Sequence, residues 1–237
     1  MGRCILYKKI EMISIVTGTL DRLDYLKMVI DNTVNSNKYL ELVLVDGGST
    51  DGTIEYIKSL NHDRIKFIEC GKRSYYWHYM NLGIENSSHE WVCQWNDDVI
   101  METHWDLVIQ EISKEANEDF YIFSWRGKND KEYVIYDDEK ELVLNYGIYN
   151  KKIFREIGMY DTSYKYYYCD GDLSFRAKEF GFSYKKMYNV KCKSLTGFGV
   201  EKKAILENNE IEYSNYLEKL SMYKNKNLPH TLVKLTR

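Results

Sequence analysis

No stretch of the 237-residue chain approaches the roughly 20 consecutive apolar residues that a membrane-spanning helix needs. Basic charge is not in excess either. Thirty-three Lys and Arg stand against 36 Asp and Glu, a net charge of -3, so nucleic acid is not an expected partner. The five cysteines (Cys4, Cys70, Cys93, Cys169 and Cys192) are odd in number and form no C-x-x-C pair. Reduced thiols and a cytoplasmic location, free or peripheral to a membrane surface, are therefore expected. The opening "MGRCIL" has Gly2 but no Ser or Thr at the sixth position, and no apolar leader is seen, so no targeting signal is expected. Proline is nearly missing: Pro229 stands alone where average usage would give roughly twelve. No Pro/Gly/Ser linker, internal repeat or low-complexity tract offers a domain boundary.

What is present suits one sizeable core in a soluble globular chain, since 44% of residues are hydrophobic. There are 22 tyrosines. Aromatic-rich surfaces suit stacking on sugars, and an AT-biased coding sequence would give the same composition.

Periodicity alternates along the first hundred residues. "MISIVTGT" and "LELVLVDGG" read as buried strands, "IKFIEC" and "EWVCQW" as two more, and the segments between them carry helical spacing, for example Leu26, Val29, Ile30 and Val34. Asp51 is the expected N-cap of the second helix. Strand, helix, strand, helix predicts parallel pairing with ligands at the carboxyl ends of the strands. The second half reads as strands ("FYIFSW", "FSYKKMYNVKC"), a hairpin around "YDDEKE", and short helices "KKIFREIG" and "DLSFRAKEFG" that end in glycine. Residues 201–225 are charged and helix-prone.

Three acidic motifs fall at ends of these elements. "DGGSTDGT" puts Asp46 at a strand end beside two glycines, which suits either an ordinary turn or close approach of a nucleotide. "NDD" (Asn96, Asp97, Asp98) sets adjacent carboxylates between apolar residues, a cost that a nearby positive group would relieve. It reads either as a helix-capping turn or as a ligand set for a hard divalent ion. If the segment is extended, Asp97 points away from Asp98. "CDGDLSFR" puts Asp170 and Asp172 at a helix start, where acids also act as caps. It lacks the glutamate that would complete a calcium loop.

Taken in order, "VTGTLDRLDYL", "LVLVDGGSTDGT", "NLGIENSSHEWVCQWNDDV", "YGIYNKKIFREIGMYD" and "DGDLSFRAKEFGF" resemble family 2 glycosyltransferases of the GT-A fold over roughly residues 12–190. The resemblance implies an α/β fold, a Rossmann-like and mainly parallel sheet flanked by helices. It implies one domain over 1–200, with a nucleotide-binding half at about 12–100, an acceptor half at about 101–200, and a helical extension over 201–237. The implied reaction is metal-dependent, inverting transfer from a UDP-, GDP- or dTDP-linked sugar to a glycan, lipid-linked or protein acceptor. Donor-nucleotide positions carried over are Thr17, Thr19, Asp21, Arg22, Asp46, Gly48, Ser49, Asn81, Asn96 and Asp97. Asp98 becomes the ligand of Mn2+ or Mg2+, Asp170 the catalytic base, and Asp172 and Arg176 acceptor-side residues. Cys169 replaces a glutamate of the family pattern.

Two departures stand out. Met80 occupies a position where many relatives have an arginine, leaving Lys72 or Arg73 to supply a phosphate contact. Cys192 or Lys193 falls where relatives show a metal-binding histidine, and neither suits an ion that prefers oxygen or imidazole. Tyr75, Tyr76, Trp77, Tyr166, Tyr167 and Tyr168 are candidates for sugar stacking. A binding module on the same scaffold and a sugar nucleotidyltransferase are the alternatives. The base position argues against the first, and the absence of a basic, glycine-rich first loop against the second.

Overall fold

The computed structural model describes residues 12–114, 118–137, 142–143, 146–165, 167–196 and 202–236. Its first half follows the strand and helix alternation: β1 (Ile13–Thr19), α1 (Leu23–Asn32), β2 (Leu40–Asp46), α2 (Thr53–Leu60), β3 (Ile65–Glu69), α3 (Tyr76–Asn86) and β4 (Trp91–Gln94). There follow β5 (Val99–Met101), α4 (Trp105–Lys114), β6 (Phe120–Arg126), β7 (Tyr136–Asp137), β8 (Leu142–Val143), β9 (Gly147–Asn150), α5 (Lys151–Ile157), α6 (Cys169–Glu179), β10 (Tyr184–Ser194) and α7 (Lys202–Lys224).

Eight strands form one sheet in the order β3-β2-β1-β4-β9-β6-β10-β5. β1 to β4 pair in parallel, as do β6 and β10, whereas β9 runs antiparallel to both β4 and β6, and β5 antiparallel to β10. The remaining pair, β7 with β8, is antiparallel across the expected hairpin, whose turn lies outside the described residues.

Side chains alternate across the pleat, and both faces are covered. Ile13, Ile15, Leu42, Leu44 and Cys93 point into a core sealed by Leu26, Val29 and Ile30 of α1 and by Trp105, Val108 and Ile112 of α4. Val16, Val43, Val92, Phe120 and Ile122 point the other way, onto Met80 and Ile84 of α3, Ile153 and Phe154 of α5, α6 and α7. Met80, which stands where the resemblance would place an arginine, is thus a core residue, fully buried. At Gly83 a Cβ would stand 2.3 Å from Val16 Cγ1, so the glycine lets α3 lie close on β1.

Two local expectations are corrected. Gly52, with φ +90°, is the N-cap of α2, and Asp51 instead accepts hydrogen bonds from Thr53 N (3.1 Å) and from Leu23 N of α1 (2.9 Å). Helix α6 starts at Cys169, and where an apolar face of Leu173, Phe175, Ala177 and Phe180 is expected from the sequence, residues 171–177 are all buried, because α5, α7 and the sheet surround it.

The described part of 201–237 packs against the rest of the fold. Tyr216, Leu220, Tyr223 and Leu235 join the apolar cluster of α5 and α6, and Leu235 N donates to Phe154 O at 3.2 Å. Among the described residues no helix is long and apolar enough to cross a membrane.

Candidate active site

The carboxyl ends of β1 and β2 carry two interlocked loops. Asp46, fully buried, accepts hydrogen bonds from Gly48 N (2.7 Å), Ser49 N (2.9 Å) and Ser49 Oγ (2.5 Å), so its carboxylate shapes the glycine turn from within. Asp21, with φ +50°, joins the first loop to the second: its N–H donates to Ser49 Oγ (2.9 Å) and its Oδ1 accepts from Thr50 N (2.6 Å). Tyr79 lies under both loops. A Cβ on Gly18 would meet its ring at 2.8 Å, and one on Gly47 its hydroxyl at 2.6 Å. Gly48 takes φ +91° and abuts Gly71 O, which brings the loop of Lys72 and Arg73 against the turn. Thr17 is buried beneath this surface, its hydroxyl on Gly18 O at 3.1 Å.

The second motif is a turn, not an extended segment. Trp95 anchors it, donating from Nε1 to Val99 O at 2.9 Å. The chain then reverses into β5, an edge strand the periodicity did not reveal because three residues are too few to show a period. As a result both carboxylates come under the influence of Arg22. Asp98 Oδ2 lies 3.2 Å from Arg22 Nη1 and accepts a hydrogen bond from Thr196 Oγ1 at 2.5 Å. Burial, and then the neighbouring Asp98, push Asp97 up to about 6, while Arg22 and the Thr19 hydroxyl pull it partly back. The alternation expected of an extended segment therefore does not apply to Asp97 and Asp98, which lie in a turn.

The segment after β10 supplies Thr196, not Cys192 or Lys193, to Asp98. Cys192 is buried in β10 with its thiol on Ser124 O at 3.5 Å, and Lys193 pairs in the ladder with Ile100 of β5. Thr196 was missed because only the antiparallel pairing of β5 with β10, and Leu195 N on Asp98 O at 2.7 Å, bring the two segments together. Among the described residues no group of three or more His, Cys, Asp or Glu side chains is arranged to hold a metal ion.

On the other side stands Asp170, in the first turn of α6. Burial pushes its carboxyl up to about 6; Asp172 adds to the rise and the Gly171 N–H, at 2.9 Å, opposes it. Tyr146, whose hydroxyl accepts from Asn96 Nδ2 at 3.2 Å, is buried, which holds its phenol well above the ordinary range, and the charges of Asp98 and Asp170 add to the rise. Tyr76 is held edge-on against Tyr160, and burial keeps its phenol well above the ordinary range.

Three carried-over positions have other partners. Asn81 uses both ends of its amide on Tyr160, donating to its carbonyl and accepting from its N–H, each at 2.9 Å. Asp172 and Arg176, fully buried at 0% exposure with 3.6 Å between Oδ2 and Nη1, form an internal pair. Tyr164 Oη (3.0 Å) and Tyr223 Oη (2.6 Å) donate to Asp172, and Arg176 Nη2 donates to Met159 O (2.6 Å). Among the aromatic candidates, Tyr168 stacks on Tyr216 of α7 at 5.3 Å, Tyr75 lies near Trp77 at 6.3 Å, and Tyr167 is exposed. Tyr166 lies outside the described residues.

A mixed α/β sheet with acidic groups gathered at the carboxyl ends of its parallel strands defines the GT-A class of fold. Residues 14–179 match the family described as Glycosyl transferase family 2, and the chain belongs to that family. Among solved structures, it is similar to the mannosyltransferase PcManGT from Pyrobaculum calidifontis in complex with GDP-Man and Mn2+, at 14% identity and TM-score 0.67, covering 92% of this chain and 65% of that one. It is similar also to S. aureus TarS 1-349 (14% identity, TM-score 0.69, 90% of this chain, 65% of that one) and to the same protein in complex with UDP-GlcNAc (14%, 0.64, 91% and 72%). The chain thus spans less than two thirds of the length of PcManGT and of the first TarS structure. No curated protein matches the chain.

Proposed function

We propose that this protein transfers a sugar from a nucleoside-diphosphate sugar to an acceptor hydroxyl, with inversion at the anomeric carbon. The observation that carries the reading is the turn of Asn96, Asp97 and Asp98 held to Arg22 at 3.2 Å, together with the raised carboxyl of Asp170 in the first turn of α6. Two such unlike acidic groups suit a donor whose diphosphate rests at the first and whose reacting carbon meets the second.

In this reading the nucleotide lies over the interlocked loops of Asp21 and Gly47 to Ser49. Their hydrogen bonds pre-set the surface and so limit the ordering cost of binding. Asp46 holds that surface from below. The turn fits a hard divalent ion. Adjacent Asp97 and Asp98 crowd each other, which a cation would relieve, and Asn96 adds an amide oxygen, the hard donors such an ion prefers. When bound, Mn2+ or Mg2+ at Asp98 would neutralise charge that builds on the leaving diphosphate. Arg22 supplies positive charge on the protein's own part.

Asp170 takes the proton of the attacking hydroxyl. A carboxyl raised to about 6 is a stronger base than an ordinary one and is still ionised at neutral pH. For inversion, the base on α6 must meet the sugar on the face opposite the leaving group at the end of β4. The acceptor is a hydroxyl of a glycan, lipid-linked or protein substrate. The free thiols Cys70, Cys93, Cys169 and Cys192 support a cytoplasmic setting.

The test is a thermal-melt panel of UDP, GDP, dTDP and their sugars with and without Mn2+, followed by assay of nucleoside-diphosphate release. Ligand at about a hundred times its Kd adds roughly 2.7 kcal/mol, a readable shift. Absence of any shift under every metal condition would overturn the reading.

A further inference from the structure

One stripe of α7 holds the loop that leads into α6. Glu212, Asn215, Tyr216, Lys219 and Tyr223 recur at spacings of three and four, which places them on one helix face. Each meets a residue between 161 and 172. Lys219 donates to Asp161 (2.7 Å) and to Ser163, Asn215 donates to Ser163 (3.2 Å), Tyr216 stacks on Tyr168, and Tyr223 donates to Asp172 (2.6 Å). Glu212 differs from the rest. Only 5% exposed, it turns one carboxylate oxygen to the N–H of Lys165 and the other to that of Tyr167 (3.2 Å). A solvated loop would give both N–H groups to water. A buried carboxylate is costly to desolvate, and here charge-assisted hydrogen bonds to the loop backbone offset that cost.

The residue after this clamp is backbone-strained. Tyr168 has φ +69° and ψ -9°, the left-handed region that a bulky side chain enters only when its surroundings impose it. Glu212 fixes the backbone before it, and Tyr216 fixes its ring. On the far side, Tyr168 O accepts a hydrogen bond from Asp172 N at 2.7 Å, in the first turn of α6. The conformation of Tyr168 therefore sets where α6 starts and how its first turn, which carries Asp170, leaves the loop.

We propose that Glu212 is a positioning residue for Asp170: by clamping Lys165 and Tyr167 it imposes the left-handed turn at Tyr168 and so aims the carboxyl of Asp170 at the attacking hydroxyl. This rests on the reading of Asp170 as the base, and it gives α7 a part in the reaction without contact to substrate. Without the clamp Tyr168 relaxes and the first turn moves with it. A displacement of about 1 Å at a reacting group costs on the order of a hundredfold in rate.

The test is a double-mutant cycle of Glu212→Ala with Asp170→Asn. Nucleoside-diphosphate release from UDP-GlcNAc and GDP-mannose is assayed with Mn2+ and water as the acceptor, and each protein is melted with UDP and GDP. Glu212→Ala should lower kcat about ten- to hundredfold, keep the KM of the nucleotide sugar and respond to the nucleoside diphosphates as the parent does. In the Asp170→Asn background the same substitution should cost nothing more, because nothing is left to position. Glu212→Gln, which keeps the volume and one acceptor, should fall between, and it carries the same cycle if the Ala variant does not fold. Crystal structures of parent and Glu212→Gln, which need no acceptor, should show Tyr168 out of the left-handed region and the Asp170 carboxyl moved by about 1 Å. An unmoved Asp170 overturns the proposal whatever the rates. So do equal losses in both backgrounds, since Glu212 then only stabilises the fold. Normal turnover by Asp170→Asn removes the base and this proposal and leaves the donor site standing. A parent that responds to no nucleotide removes the transfer reading and this proposal with it.

Discussion

Arg22 Nη1 and Asp98 Oδ2 lie 3.2 Å apart, although 76 positions separate them along the chain. This pair explains why two adjacent carboxylates are tolerated in a turn flanked by buried Trp95 and Val99. The first loop brings a cation to them. Thr196 Oγ1 satisfies the same oxygen from the end of β10.

Arg22→Gln should therefore raise the affinity for Mn2+ measured without nucleotide, because guanidinium and metal compete for Asp98. The Arg22 side chain is 41% exposed, so the loss of stability should stay below about 1 kcal/mol. Calorimetric Mn2+ titration of the two proteins checks it, and an unchanged or weaker affinity would refute the competition.

Asp98→Ala should leave the melt of the protein nearly unchanged while removing the manganese-dependent part of nucleotide binding. Asp97→Ala should have an intermediate effect, since the turn brings both carboxylates near Arg22. Nucleoside-diphosphate melts with and without Mn2+ decide this. Persistence of the metal effect in the Asp98 variant would leave the motif as a structural turn.

Asp170→Asn should lower transfer by about 10² to 10⁴ and leave nucleotide-sugar binding intact, because the proposed donor contacts come from the loops after β1, β2 and β4 and not from α6. In the parent, transfer should rise with pH through about 6 as Asp170 ionises and then level off. Near-parental transfer by the Asn variant would exclude Asp170 as the base.

The same carboxyls set a stability trend. Asp97 and Asp170 sit near 6 in the folded chain against about 3.9 for an unperturbed aspartate. Between those values the folded state holds protons the unfolded state has lost, so stability should fall as pH rises from about 4 to about 6. Urea midpoints across that range measure the slope, which Asp170→Asn should make shallower.

Asp172→Ala should behave differently from either. It leaves Arg176 buried without its carboxylate and two tyrosine hydroxyls without their acceptor, a loss of about 3–5 kcal/mol. Denaturation should show it before any assay does. A fully stable variant with impaired transfer would return Asp172 to the acceptor site.

The amino-acid sequence determined the strands, the helices and their order. Period-2 and period-3.6 apolar patterns reflect burial of whole faces, and β1 to β4 with α1 to α3 are long enough to show them. It also marked where the chemistry gathers, since acids and glycines at strand ends make little sense in a packed core. Tertiary structure decided which of those residues face the site. Asp46, Asn81, Asp172 and Arg176 read as site residues in a string of letters, and the fold gives each of them a partner of its own. Thr196 looks like nothing in sequence and meets Asp98 because a three-residue edge strand pairs with β10. Periodicity reports which side of an element is buried. It carries no record of which distant polar group waits on that side, and hydrogen-bond partners are settled only when strands take their register and helices their seat.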